Sequence, residues 1–323
     1  MAEDVRQDEE AALAAVHCRP EAMRYVHEDL RRNRDFILKA VGRAGAALAY
    51  VPQQFRKDRE IVLAAVQHDG IALAYAAADL QVNREVALAA IARNVRAAVD
   101  ASLWQDRHFA LAAIERNSEA LLRCPHHFQE DRMFLYDAVQ RNGDALRFTD
   151  EIFRYDHSLV LAAIRNDGTA LRYAGEFMRQ DRQFLHEALS HNAMALPYVP
   201  EDLWSDRSFL LAAARRNPDA LLQVDEEIRA DLNFMLAAVG ERGQALASCA
   251  DNLLADSDFL LQAVEANAEA LAYVPRRFRK DSDFVLSAVK KNGAALRYAD
   301  DAFRDEEKIV LTALQRKPEA GDL

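Results

Sequence analysis

The chain contains few of the residues that cross-link a protein or interrupt its helices. Its 323 residues include three cysteines, Cys18, Cys124 and Cys249, which lie far apart and match no metal-binding spacing. A disulfide framework is therefore not expected, and a reducing compartment fits. Glycine (10 residues) and proline (8 residues) are scarce, whereas alanine is abundant. This balance favours helix over sheet, and no Pro/Gly/Ser-rich linker divides the chain.

Long apolar segments and a basic leader are also missing. No uncharged apolar stretch reaches the length of about 18 residues that a membrane span needs. The first four residues are acidic in character, unlike a secretory signal, so we expect a cytoplasmic protein. The net charge of −11 argues against a general affinity for nucleic acid or anionic membranes.

A similar segment recurs every 25 residues, with a single shorter spacing of 23 between Asn83 and Asp106. Asp occupies the first place of most segments, with Asn or Glu in the others. We number the places of a repeat from this residue. Thirteen repeats result, and they begin at Asp8, Asn33, Asp58, Asn83, Asp106, Asp131, Asp156, Asp181, Asp206, Asp231, Asp256, Asp281 and Glu306.

The places within a repeat predict a helix that is buried between neighbours. Asp or Asn at place one is a typical N-cap. Places four, five, six, eight and nine are apolar and cover about 200° of a helix. Place eight is alanine in all thirteen repeats, from Ala15 to Ala313, and place fifteen is alanine in all twelve complete ones. A methyl group at these places lets neighbouring helices approach closely.

The second half of the repeat predicts a helix stop followed by a short second helix. Asn or Asp at place twelve is often followed by glycine, as in Gly70 and Gly143, which indicates a left-handed backbone turn. Ala, Leu and Tyr then stand at places fifteen, sixteen and eighteen. In the shortened repeat, we expect the two missing residues to fall in this second helix or its turn, with a local change of pitch.

Helix–turn–helix units at a fixed period predict an all-α protein, an α-solenoid with a right- or left-handed superhelix. A repeat of 25 residues cannot bury its own apolar face. We therefore expect the whole chain, residues 1–323, to be a single α-helical repeat domain.

The repeat pattern resembles that of a known family. Its consensus is Asp-x-x-Phe-x-Leu-x-Ala-Val-x-x-Asn-Gly-x-Ala-Leu-x-Tyr, as in residues 58–75 and 281–298. This is similar to the repeat of domain of unknown function 4116, a family of bacterial and algal proteins with two such units per family domain. The resemblance extends from about Asp8 to Pro318, and the repeat at 83–105 and those without glycine depart from it. The resemblance implies repeat architecture and no catalytic activity.

One column of basic residues is the strongest candidate for a binding surface. An arginine follows the cap in seven of eight consecutive repeats, although a cation in the first turn opposes the helix dipole. One interpretation is a structural ladder in which each arginine meets a carboxylate of the previous repeat, such as Asp29, Asp79, Glu176 or Asp202. The other is a stripe that binds an acidic partner or phosphates. The seven residues are Arg34, Arg59, Arg84, Arg107, Arg132, Arg182 and Arg207.

Other chemistry-bearing residues carry weaker signals. The aromatic column at place eighteen could stack nucleic-acid bases, or it could be inter-repeat core with hydroxyls at the rim; it comprises Tyr25, Tyr50, Tyr75, Phe148, Tyr173, Tyr198, Tyr273 and Tyr298. His186 and His191 are five residues apart and so do not share a helix face as metal ligands. His186 replaces a core leucine and is expected to be a satisfied buried histidine or to mark a local pocket.

We expect a non-enzymatic repeat scaffold that binds another protein through its exposed variable places. The sequence assigns no catalytic, cofactor-binding or metal-binding residue. One alternative is binding of RNA or single-stranded nucleic acid with one repeat per nucleotide. Another is a cryptic enzyme pocket near residues 83–130, where the nearest reactive side chains are His108, Cys124, His126 and His127.

Overall fold

Each repeat opens with a regular α-helix, which we call helix A. The computed structural model describes residues 8–204 and 206–315. The side chain at place one caps helix A in every repeat from Asp8 to Asp281. The Asp58 carboxylate, for example, accepts the backbone N–H groups of Glu60 and Ile61 at 3.0 and 3.3 Å. The predicted caps are therefore confirmed.

Helix A has ten residues in every repeat but the last, where nine are described. Helix A covers Glu9–Cys18, Arg34–Arg43, Arg59–His68, Arg84–Arg93, Arg107–Arg116, Arg132–Arg141, His157–Asn166, Arg182–His191, Arg207–Arg216, Leu232–Glu241, Ser257–Ala266, Ser282–Lys291 and Glu307–Gln315.

The core runs along one side of helix A. The alanine at place eight is completely buried in the eleven repeats that begin at Asn33 to Asp281, and places four, five and nine are buried with it. It is exposed only at Ala15 and half-buried at Ala313, in the first and last described repeats. The leucine at place six differs from our prediction, because it is half-exposed in most repeats, as in Leu38, Leu63 and Leu236. The face of helix A that is buried in most repeats therefore comprises places four, five, eight and nine, one place fewer than predicted.

The second helix, helix B, is a 3₁₀-helix, and the turn before it is extended rather than left-handed. Ala44 and Asp69 at place twelve have φ of −149° and −143°, and no glycine in the described residues has a positive φ. Helix B covers Pro20–Tyr25, Gly45–Tyr50, Gly70–Tyr75, Ser118–Arg123, Gly143–Phe148, Gly168–Tyr173, Ala193–Tyr198, Pro218–Gln223, Gly243–Ser248, Ala268–Tyr273 and Gly293–Tyr298.

The prediction that glycine at place thirteen supplies a left-handed stop is therefore wrong, and close packing explains the residue instead. A Cβ atom at Gly45 would lie 2.5 Å from the carbonyl oxygen of Ala65, and one at Gly70 would lie 2.2 Å from that of Ala90. Both carbonyls belong to helix A of the following repeat. Glycine is needed at these places because the backbones of consecutive repeats almost touch there.

Asparagine at place twelve joins consecutive repeats. The Asn117 side-chain oxygen accepts the N–H of Glu119 at 3.1 Å and so caps helix B, while its amide donates to the Ile91 carbonyl of the preceding repeat at 3.2 Å. Asn142, Asn217 and Asn292 donate to the preceding repeat in the same way at 2.9–3.2 Å.

A third short helix, helix C, follows and was not predicted. The side chain at place twenty-four holds it by donating to the carbonyl five residues earlier at 2.7–3.2 Å, in the pairs Arg56–Val51, Gln81–Ala76, Gln129–Cys124, Arg154–Thr149, Arg179–Ala174, Trp204–Val199 and Arg229–Val224. Helix C covers Glu28–Arg32, Phe55–Lys57, Ala78–Gln81, Ala101–Trp104, His126–Gln129, Glu151–Tyr155, Glu176–Gln180, Glu201–Trp204, Glu226–Arg229, Asp251–Ala255, Arg276–Arg279 and Asp301–Arg304.

The repeat that begins at Asn83 is the irregular one. Residues 94–100 form turns and extended chain where the other complete repeats have helix B, so the shortening lies where the sequence predicted it. The indole Nε1 of Trp104, at the end of helix C, is buried and has no hydrogen-bond partner. At the equivalent place of a full-length repeat, Trp204 donates to Val199 at 3.2 Å.

The described residues are helices and connecting turns without strands, the all-α fold of a repeat solenoid. The chain divides between Asn166 and Asp167 into an N-terminal and a C-terminal region. Within each region helix A packs against helix A of the next repeat, and helix B against helix B. No helix in the described residues has the length and apolarity to cross a bilayer.

Candidate functional site

In each of the two regions, the arginines at place two lie along one edge of the A helices of that region. We call Arg34, Arg59, Arg84, Arg107, Arg132, Arg182 and Arg207 the arginine ladder. Six of the seven form an ion pair with the capping aspartate of the following repeat, in the pairs Arg34–Asp58, Arg84–Asp106, Arg107–Asp131, Arg132–Asp156, Arg182–Asp206 and Arg207–Asp231.

The seventh arginine shows why the cap is the partner. The repeat after Arg59 is capped by Asn83, which carries no charge, and Arg59 pairs instead with Glu85 at place three. Among the capping pairs, Arg34 Nε donates to Asp58 Oδ2 at 2.7 Å and Arg182 donates to Asp206 at 2.7 Å. Each arginine of the ladder thus pairs with a carboxylate of the following repeat. That carboxylate is at place one where the cap is aspartate and at place three where the cap is asparagine.

The direction of the arginine ladder corrects our prediction. We expected partners in the previous repeat, at Asp29, Asp79, Glu176 or Asp202, and the ion pairs run forward instead. The reason is geometric. Within each region, successive A helices lie side by side, so the first turn of one helix faces the cap of the next rather than helix C of the repeat before it.

Aromatic rings complete the arginine sites. The guanidinium groups of Arg107, Arg182 and Arg207 lie 5.2, 5.5 and 5.9 Å from the ring centroids of Phe134, Phe209 and Phe234, at place four of the next repeat. Each of these arginines therefore has a carboxylate and an aromatic face, the two groups that a planar guanidinium binds best.

The ion pairs change the acidity of the caps. A hydrogen bond from Arg132 lowers the pKa of Asp156 from 3.8 to about 2, with help from the Leu159 amide and the Ser158 hydroxyl. A hydrogen bond from Arg34 likewise lowers the pKa of Asp58. Asp156 and Asp58 therefore stay ionised over the neutral pH range, and each stabilises both its own helix and the preceding arginine.

The arginine ladder ends before the last repeats. Place two is Leu232, Ser257 and Ser282 there, and Asp256 and Asp281 form no ion pair within the described part of the chain. These two caps are exposed, whereas the caps paired with an arginine are half-buried. Further acids accompany them along the same edge, at Asp258, Asp283, Glu306 and Glu307.

A cavity of about 250 Å³ lies beside Ser257, the first small residue at place two after the arginine ladder ends. It is lined by Ser257 at place two, Leu261 at place six, and Phe278, Asp281, Asp283, Phe284 and Ser287 of the adjoining helices. Asp281 and Phe284 are the cap and the ring of the following repeat. They correspond by place to Asp231 and Phe234, which hold Arg207.

The aromatic column at place eighteen lies at a rim. Tyr25 is 69% exposed and Tyr75 40% exposed, while the other members are half-buried. Arginine side chains cover some of the rings, since Arg24 lies 4.7 Å from the centroid of Tyr50 and Arg172 4.6 Å from that of Tyr173. The half-buried rings fit the interpretation of inter-repeat core with polar edges.

The cysteines and histidines do not gather into a reactive group. Burial raises the pKa of the Cys124 and Cys249 thiols to about 12, which keeps both protonated at neutral pH. His186 is half-buried, stacks on Phe209 with centroids 4.5 Å apart and lies 3.3 Å from the Phe209 carbonyl oxygen, as expected for a satisfied histidine. Within residues 8–204 and 206–315, no three His, Cys, Asp or Glu side chains are placed to share a metal ion.

A second cavity, of about 290 Å³, lies in the irregular repeat. It is lined by Val99, Ala101, Trp104, Gln105, Arg123 and Pro125. The four residues that the sequence suggested for a reactive pocket do not line it. His108 lies in the first turn of a helix A, Cys124 is buried, and His126 and His127 are the first two residues of a helix C. The cavity therefore offers a guanidinium and an indole, without a nucleophile or a general base.

Comparisons with known proteins give one match. No curated protein and no solved structure is significantly similar to the chain. The model of the family described as domain of unknown function (DUF4116) matches five times, at residues 8–56, 58–102, 106–154, 181–229 and 281–320. Four of these matches span two successive repeats each, in agreement with the period read from the sequence. The matches cover more than half of the chain, and the protein therefore belongs to the DUF4116 family.

Proposed function

We propose that the protein is a non-enzymatic repeat scaffold that binds another protein through the outer face of its A helices. This outer face consists of places two, three, six, seven and ten. The observation that carries the proposal is the contrast between the two sides of helix A. Places eight and nine hardly vary and are buried, while places three and ten differ freely between repeats and are exposed in nearly all of them.

The half-exposed leucines at place six support this proposal. Leu211 lies one turn of helix A after Arg207, and Leu236 and Leu261 occupy the same place in the next two repeats. Each leaves part of its apolar side chain accessible to water. An apolar row flanked by charged side chains is the composition that protein interfaces use, with the apolar groups supplying affinity and the charges selecting the partner.

The test is capture of a partner from a nuclease-treated lysate of the native host by the full chain. The informative variant is Leu211→Gln with Leu236→Gln, which removes two apolar groups from the outer face. The matched control is Met194→Gln with Leu222→Gln, two side chains 49% and 52% exposed and located in helix B instead. We expect the first variant to lose the captured protein and the control to keep it, with circular dichroism unchanged in both.

Three results would contradict the proposal. These are capture of no protein above background, equal loss in both variants, and equal retention in both. Capture that depends on omitting the nuclease would favour the nucleic-acid alternative.

A further inference from the structure

The chain itself shows how a guanidinium binds at the edge of the A helices. In the C-terminal region, Arg207 reaches forward to the carboxylate of Asp231 and lies 5.9 Å from the ring centroid of Phe234. Arg182 does the same one repeat earlier, 2.7 Å from Asp206 and 5.5 Å from the ring of Phe209. A carboxylate at place one and a ring at place four therefore form a guanidinium site, which the preceding repeat fills.

At the boundary that follows Ser257, in the C-terminal region, this carboxylate and ring are present and the preceding repeat supplies a small side chain instead of an arginine. Asp281 and Phe284 stand at places one and four, and the preceding place two is Ser257, whose short side chain cannot reach them. Within residues 8–204 and 206–315, the Asp281 side chain accepts hydrogen bonds only from the backbone N–H groups of Asp283 and Phe284, at 3.0 and 3.4 Å. The neighbouring boundaries differ, because Leu232 occupies place two before Asp256, and the residue at place four after Glu306 is Ile309 rather than a ring.

The space left by the missing arginine is a cavity. Its volume of about 250 Å³ is several times the ~30 Å³ that one water molecule takes up in the liquid. Ser257 forms one wall, Phe278 and Phe284 supply rings 5.2 Å apart, and Asp281 and Asp283 supply carboxylates.

Arginines near the cavity are engaged elsewhere. Arg277 donates to the Leu254 carbonyl at 3.2 Å and lies over the ring of Phe278, 4.9 Å from its centroid. Arg279 pairs with Asp300 at 3.7 Å. Neither lines the cavity, so the carboxylate of Asp281 is available to a cation from outside the chain.

We propose that this cavity binds an arginine side chain of a protein partner, in the place that the chain's own arginine occupies at other repeat boundaries. Arginine fits better than lysine, because a planar guanidinium can donate two parallel hydrogen bonds to a carboxylate while its face lies on an aromatic ring. The inference rests on the proposed function and deepens it, since it identifies the partner's contact as a basic segment.

The experiment uses the full chain and two capped pentapeptides, one with a single central arginine and one with a single central lysine. Binding is followed by two-dimensional amide NMR at the signals of Asp283 and Phe284, whose N–H groups donate to Asp281. We expect saturable, weak binding of the arginine peptide, and binding of the lysine peptide weaker on the order of fivefold because lysine lacks the planar fork.

Ser257→Arg is the informative variant, because it supplies the chain's own guanidinium and should weaken binding of the arginine peptide at least about tenfold. The matched control is Ala266→Arg, which adds the same charge to the exposed last turn of the same helix. It should leave the affinity within about twofold of the original. Asp281→Asn keeps the N-cap and removes the carboxylate, so it provides a second loss variant that does not depend on how an introduced side chain packs.

Unchanged binding in Ser257→Arg and Asp281→Asn, or equal loss in Ala266→Arg, would overturn the inference. Equal affinity for the two peptides would overturn the assignment of arginine. A captured protein that binds the original chain and Ser257→Arg alike would also overturn it, while leaving the proposed function in place. Failure of capture, with specific arginine-peptide binding at Asp281, would contradict the proposed function alone.

Discussion

At the scale of single residues, the capping aspartate has two roles. Asp156 accepts the Leu159 amide of its own helix and the Arg132 guanidinium of the preceding repeat. Exposed ion pairs of this kind contribute only about 0.2–1 kcal/mol each, so the arginine ladder adds modestly to stability. Its larger effect is that each arginine occupies a carboxylate at the edge of the next A helix, so that this carboxylate is not free to bind another cation.

The pKa of Asp156 predicts how this contribution depends on pH. The folded-state pKa, about 2, lies below the ordinary value of 3.8, so the stabilisation is complete above pH 3.8 and is lost as the pH falls toward 2. We expect Asp156→Asn to lower the free energy of unfolding at pH 7 by up to about 1 kcal/mol. The variant should also lose less stability than the original chain between pH 4 and pH 2, measured by urea denaturation.

Asp256→Asn is the control for this prediction. Asp256 caps its helix by accepting the backbone N–H groups of Asp258 and Phe259 at 2.9 and 3.3 Å, and it pairs with no arginine among the residues that the structure describes. Because asparagine caps as well as aspartate, the control should change stability less. Equal effects of the two substitutions would show that the arginine contributes nothing to the acid dependence.

At the scale of helices, the sequence predicted helix A well and the rest of the repeat less well. A capping residue followed by apolar residues at helical spacing is enough to define a ten-residue helix. A six-residue segment cannot show whether its hydrogen bonds are of the α or the 3₁₀ type, and helix C is shorter still. The recurrent donor at place twenty-four, such as Arg56 or Arg229, was the available signal for helix C.

Substitutions at two nearby glycines, Gly45 and Gly42, test whether the backbones of consecutive repeats approach as closely as described. A Cβ atom at Gly45 would meet the Ala65 carbonyl oxygen at 2.5 Å, whereas one at Gly42 would meet no atom within 4 Å. We expect Gly45→Ala to destabilise the protein by about 1–3 kcal/mol through overpacking.

Gly42→Ala is the control and should have the opposite sign. Gly42 lies within helix A and has a negative φ, so alanine there should stabilise by up to about 1 kcal/mol. Both changes are measured by thermal and urea unfolding. Two substitutions with the same sign would refute the explanation of Gly45 by packing.

The candidate site could be predicted only in part, because a sequence pattern does not show which neighbouring repeat a side chain faces. The sequence located the column of arginines and showed that it stops at Leu232, Ser257 and Ser282. It did not show whether the first turn of helix A faces the repeat before it or the one after it, so the partners were assigned in the wrong direction. The cavity at Ser257 follows from that direction together with the ring of Phe284, and a one-dimensional pattern contains neither.

At the scale of the whole molecule, the reactivity of the cysteine thiols measures whether the core of each region is closed to solvent. Cys18 is exposed, while Cys124 in the N-terminal region and Cys249 in the C-terminal region are 4% and 5% exposed. Because burial also raises the pKa of both to about 12, neither should form a thiolate near pH 8.

We therefore expect one thiol to react rapidly with Ellman's reagent in the native protein and all three to react in denaturant. The slow reactions of Cys124 and Cys249 then measure the opening of the two regions separately. Rapid reaction of all three thiols in the native protein would contradict the buried core described for both regions.

The edge of the A helices contains equivalent guanidinium sites, which are filled where the chain supplies an arginine and open at Ser257, where it supplies a small side chain. The most direct measurement is the stoichiometry of arginine-peptide binding to Arg207→Ser, read by amide NMR at Phe234 and Phe284. We expect this substitution to open a second site at Asp231 and Phe234, so that both amides shift with saturation. A shift at Phe284 alone, as in the original chain, would contradict it.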